Sequence, residues 1–146
     1  MLRYSVLLLL AAMLGAAACS DRVTDVETVF DRQEPQPGAD GQTATFGFIQ
    51  QKILTPSCSM GGCHSGAVPP DLSEGAAYAS TVGRLSSTGM PLVDPGSPEN
   101  SYLYVKMRGG DQLVGSLMPP PGHPGVEPGL TDSLAAWIER GALDDE

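Results

Sequence analysis

The stretch Cys58-Ser59-Met60-Gly61-Gly62-Cys63-His64 constrains this chain more than any other. Two thiols joined by a four-residue spacer, with an imidazole directly after the second, admit three chemistries. The thiols can add across two vinyl groups of a porphyrin, and the adjacent histidine then lies under the iron as proximal ligand. They can instead close a small loop as a disulfide. With His123 added, the set can bind zinc, but adjacent Cys63 and His64 point awkwardly at one tetrahedral ion and paired finger spacing is absent. The common haem-attachment motif has two residues between its cysteines. The longer spacer here includes Gly61 and Gly62, which can take the dihedrals a bulged loop needs.

The material for an ordinary core is thin. One Trp, three Phe and four Tyr stand against 18 Gly and 13 Pro in 146 residues. A chain of this length supports one moderate domain with appendages, and one so rich in loops buries little apolar surface against the entropy of ordering it. A large apolar cofactor at the centre would supply the missing interior. The net charge of −9 argues against nucleic acid and anionic membrane surfaces as partners.

The chain opens as an export signal does, with Arg3 ahead of an apolar run from Val6 to Ala18 that is too short to span a membrane comfortably. Ala16-Ala17-Ala18-Cys19 resembles the end of a bacterial lipoprotein signal, in which Cys19 is lipidated; simple cleavage after Ala18 is the alternative. Ser20 resembles the outer-membrane sorting form of such signals. Residues 20 to 45 are acidic and end in Glu34-Pro35-Gln36-Pro37-Gly38-Ala39-Asp40-Gly41, without periodicity. The expected division is therefore a signal peptide at 1–18, a lipid-anchored acidic tether at 19–45 and a folded domain at 46–146. Export also suits thioether and disulfide chemistry alike.

In the folded part, Phe46, Ile49, Ile53 and Leu54 share one helical face, with Thr43 or Thr45 as cap and Thr55-Pro56 as the stop. A short helix is expected from Ser73 to Val82, with Ala77, Tyr78 and Thr81 facing inward, and loop from 83 to 96. Ser97, Pro98 and Glu99 open a further helix, whose stripe of Tyr102, Leu103, Val105, the Lys106 stem and Met107 ends at Gly109-Gly110. The last helix is expected to be capped by Thr131, to bury Leu134, Trp137 and Ile138, and to stop at Gly141.

Between the last two helices lies Met118-Pro119-Pro120-Pro121. A methionine followed by prolines is stiffly presented, which suits a thioether aimed at a haem iron; a methionine filling a gap under a loop is the simpler alternative. His123 is the rival ligand, although Pro121, Gly122, Pro124 and Gly125 around it suggest an exposed loop. Met90 and the mid-helix Met107 are the other competitors.

The order of parts resembles a monohaem class I cytochrome c. More narrowly, Ile53-Leu54-Thr55-Pro56-Ser57-Cys58, Gly62-Cys63-His64-Ser65-Gly66, Val93-Asp94-Pro95-Gly96-Ser97-Pro98-Glu99-Asn100-Ser101-Tyr102-Leu103, Met118-Pro119-Pro120 and Trp137-Ile138-Glu139-Arg140-Gly141-Ala142 resemble a group of bacterial cytochrome c-like lipoproteins. The resemblance covers about residues 46 to 142. It implies an all-α fold of helices wrapped round one haem c with long Gly/Pro-rich loops. It further implies thioethers at Cys58 and Cys63, His64 as proximal and Met118 as distal iron ligand. The expected function is electron transfer to or from redox partner proteins, on the periplasmic side of the outer membrane of a Gram-negative cell, with Cys19 holding the protein to the lipid. The alternative is an exported non-haem lipoprotein module with a Cys58–Cys63 disulfide. Enzyme chemistry has little support: no nucleophile–histidine pair, phosphate-binding glycine loop or recognisably spaced pair of carboxylates occurs.

Overall fold

The side chain of Thr45 starts the first helix: its hydroxyl accepts the Phe48 amide at 3.1 Å, relieving one of the donors a helix start leaves open. In the computed structural model, which describes residues 44–146, this helix is α1, Phe46–Ile49. It runs without a break into a π-helical segment, Gln50–Cys58. Thr55-Pro56 thus fails to stop the helix, contrary to the sequence expectation. Proline has no N–H to give, and its ring clashes with the carbonyl four residues back in an α winding. The wider i→i−5 winding accommodates it, and the Ser59 N–H closes the segment by donating to the Leu54 carbonyl at 2.8 Å. The helical path therefore delivers Cys58 directly from a buried face that also carries Ile49, Ile53 and Leu54.

Three further α-helices follow: α2, Ala77–Thr81; α3, Tyr102–Arg108; and α4, Pro128–Glu139. Helix α2 begins later than expected, because Asp71 Oδ1 accepts both the amide and the hydroxyl of Ser73 and makes a turn of that stretch. The helix expected from Ser97 is split into a 3-10 turn, Pro98–Asn100, and α3. At the junction the Ser101 hydroxyl donates to the Ser97 carbonyl, and the Ser101 backbone is extended. The stop at Gly109 is as expected, with a left-handed φ of 87° that glycine adopts without strain. Helix α4 starts at Pro128, in the position proline favours, so Thr131 lies inside it rather than capping it.

Among the described residues no strand occurs; residues 82–93 contribute only two isolated bridges, Val82 to Val93 and Leu85 to Pro91. The architecture is all-α with long connecting loops. Its core joins the first helix to the last. The Phe46 ring lies 5.5 Å from Trp137 and 5.2 Å, edge-on, from Tyr78, while Leu134, Trp137 and Ile138 are buried against Ile49, Ile53 and Leu54. The indole donates to the Leu143 carbonyl at 2.9 Å, and Arg140 donates to the Ala44 carbonyl at 2.8 Å. Ala44 is itself fully buried. Packing therefore begins by Ala44, inside the stretch expected as tether.

The expected signal peptide, the Cys19 lipidation site and the tether up to residue 43 lie outside the described residues. Among the described residues no helix is long and apolar enough to cross a membrane.

Candidate functional site

Beside α3, the loops leave a cavity of about 1040 Å³, lined on that helix by Tyr102, Leu103, Lys106 and Met107. Close-packed interiors rarely hold voids larger than a water molecule. A hollow of this size, lined largely by apolar groups, has the dimensions of a cofactor site rather than of a packing fault. Six parts of the chain wall it: the end of the π-helical segment with the Cys58–His64 loop, the Val68–Leu72 turn, one side of α2, the loop from Arg84 to Leu92, α3, and the loop bearing Met118.

Every candidate ligand from the sequence except Met90 reaches this cavity: Cys58, Cys63, His64, Met118, His123 and Met107 all line it. The two cysteines are free thiols. Cys58 is buried and Cys63 half-buried. Burial pushes the Cys58 thiol up to about 11, and the neighbouring Cys63 adds to the effect, so Cys58 is held protonated. The loop between them is closed by its own backbone: the Cys63 amide donates to the Met60 carbonyl at 2.9 Å, and the His64 amide to the Cys58 carbonyl at 3.1 Å. Gly62, at φ 84°, supplies the reversal that brings the second thiol back towards the first.

The imidazole of His64 is oriented by the turn that follows it. Its Nδ1 lies 3.1 Å from the Val68 carbonyl oxygen and 3.2 Å from that of Pro70. Carbonyls only accept, so Nδ1 carries the proton, and in the neutral ring Nε2 keeps its lone pair. That is the arrangement in which a histidine serves as a metal ligand through Nε2. The turn is fixed in its own right. The Leu72 amide donates to the His64 carbonyl at 2.7 Å, and the two Ser73 donors to Asp71 hold that carboxyl below its usual range.

Met118 is half-buried, and its amide donates to the carbonyl of Lys106 on α3 at 2.7 Å. His123 is exposed, as its proline and glycine neighbours suggest, and stands at the edge of the same cavity. Met90 packs elsewhere, against Leu92, Tyr102 and Val105. Among the described residues no three His, Cys, Asp or Glu side chains converge to hold a metal ion, so the zinc arrangement of Cys58, Cys63, His64 and His123 is not met. A haem asks for no such convergence: His64 would supply one ligand, Met118 or His123 a second, and Cys58 and Cys63 the covalent attachment, in a wide apolar cavity. The donor set and the cavity fit that group.

Several contributors were not singled out from sequence. The carbonyls of Val68 and Pro70 orient His64, and no side-chain pattern marks a backbone acceptor. Arg84 also lines the cavity, as does Lys106, whose stem alone was expected in the α3 stripe; the i, i+4 spacing of Tyr102 and Lys106 was the signal for a role of its ammonium. Comparison with protein-family models, with curated proteins and with solved structures found no match.

Proposed function

We propose that the folded domain is a monohaem c-type electron carrier. The observation that carries this is the convergence on one apolar cavity of Cys58, Cys63, His64 and Met118, with the Nδ1 of His64 already engaged by backbone carbonyls. In this arrangement Cys58 and Cys63 would hold the porphyrin edge as thioethers, His64 would present Nε2 to the iron, and Met118 would present its sulfur. The group, when bound, supplies a one-electron iron couple.

The chain's own residues do the rest. The His64 turn fixes one ligand in its tautomer and direction, so little reorganisation accompanies a change of charge at the site. The apolar walls exclude water and, together with a thioether ligand, favour a higher potential than bis-histidine ligation in a wet pocket. The exposed margin of the cavity, where Val68 and Leu85 are 46% and 69% accessible, gives redox partners a path of close approach. Cys19 would anchor the protein to the periplasmic face of the outer membrane, and the acidic stretch after it would act as spacer.

Denaturing electrophoresis of protein matured in a host with haem-attachment machinery tests the assignment. Wild type should keep its colour and Cys58→Ala/Cys63→Ala should lose it; a colourless wild type would sink the proposal. Cys19→Ala should move the protein from membrane to soluble periplasmic fractions, and unchanged partition would remove the anchor from it.

A further inference from the structure

The loop that carries Met118 has little core of its own. Val114 and Leu117 are 59% and 44% accessible, and Gly115 sits at φ 76°. What holds the loop is a single face of α3. Tyr102 and Lys106 are four residues apart there, and the Lys106 ammonium lies 5.8 Å from the centre of the Tyr102 ring. The Tyr102 hydroxyl donates to the Val114 carbonyl at 3.1 Å. The ammonium donates to that same carbonyl at 3.3 Å and to the carbonyl of Ser116. The Met118 amide then closes back on the Lys106 carbonyl at 2.7 Å. One lysine thus grips the loop by its side chain at two points and by its backbone at a third, the last on the methionine itself.

We infer that Lys106 is the positioning residue for Met118: its ammonium, steadied on Tyr102, fixes the Val114 and Ser116 carbonyls and so sets where the thioether stands in the cavity. This deepens the cytochrome assignment and rests on it. A charged donor to a carbonyl is stronger than a neutral one, and Lys106 is only half-buried, which moderates the effect. Free of this clamp, the loop gains conformations in which the sulfur is off the iron. A ligand in fewer competent states competes less well with an added one.

The experiment uses the full-length holoprotein and four variants: K106Q, K106R, Y102F and M118A. Three readouts are taken: the weak far-red band of iron–sulfur ligation in the oxidised state, the affinity for added imidazole, and hydrogen exchange at the Met118 amide. K106Q should keep covalent haem and helix content. It should weaken the band, bind imidazole roughly tenfold more tightly and exchange the Met118 amide faster. K106R, which keeps the charge and the reach, should restore all three. Should K106Q fail to mature, Y102F should shift the same readouts by less and in the same direction. A normal band and imidazole affinity in K106Q, or in Y102F in that case, while M118A loses the band, would overturn the role of Lys106 alone. A wild type without covalent haem, or an M118A that keeps the band, would overturn the assignment beneath it and the role of Lys106 with it.

Discussion

The Nδ1 of His64 lies 3.1 Å from the carbonyl oxygen of Val68, only four residues further along the chain. A tight local turn therefore decides which imidazole nitrogen is free, and Gln50 and Ser80 tie that turn to the helices by donating to the Leu72 and Asp71 carbonyls. The Pro70 carbonyl at 3.2 Å reinforces the choice. A hydrogen bond from the far ring nitrogen to a carbonyl fixes the tautomer of a ligating histidine. Here the acceptors are backbone, so no single side-chain change removes them.

The thiols of the apoprotein should differ in reactivity. Cys58, buried and pushed up to about 11, keeps its proton in the folded state, whereas the same thiol in the unfolded chain loses it near its ordinary value. The unfolded state then binds fewer protons than the folded one between about pH 9 and 11, so stability is full below that window and falls as pH rises through it. The loss should reach about 2–3 kcal/mol at most, measured by urea unfolding of reduced apoprotein at pH 8 and pH 10.5. Iodoacetamide should label Cys63 before Cys58. Equal labelling rates with no alkaline loss would mean that Cys58 is not buried as described.

Trp137 should be the most costly single core position. It is 1% exposed, packs on Phe46 and bonds the Leu143 carbonyl. Trp137→Ala should cost about 3–5 kcal/mol in urea unfolding. Trp137→Phe, which keeps a ring and loses the indole donor, should cost about 1–2 kcal/mol. Equal losses for the two would show that the hydrogen bond, not the packing, holds the terminal helices together.

The sequence showed some of this fold and hid the rest for physical reasons. The buried faces of α1, the π-helical segment after it and α4 follow from spacing alone: Ile49, Ile53, Leu134, Trp137 and Ile138 are all buried. The candidate ligands were legible because thiols, imidazoles and thioethers are chemically distinctive, and five of them line one cavity with Met107 as a sixth. Helix ends were less legible. Pro56 reads as a stop only if the winding stays α, and the π-helical segment evades that rule. Thr131 has the side chain of a cap, but Pro128 offers a better first residue and moves the start outward. The clamp by Lys106 depends on where the loop of Val114, Ser116 and Met118 folds back, which no local pattern specifies.

The choice of distal ligand separates cleanly by mutation. Met118 is half-buried with its amide tied to α3, whereas His123 is exposed at the cavity edge. Met118→Ala should abolish the far-red band, lower the potential and open the iron to added ligands; His123→Ala should change none of these. The opposite pattern would make His123 the ligand, and no effect from either would point to Met107.

The central claim is that Cys58 and Cys63 carry one haem beside His64. A pyridine haemochrome spectrum tests it most directly, taken together with the intact mass, on full-length protein matured where haem attachment is available. The expected result is one haem per chain with both vinyl groups saturated, not extractable into acidified acetone. An extractable haem with intact vinyl groups, or a mass short by two hydrogens with no chromophore, would contradict the claim, the latter in favour of a disulfide.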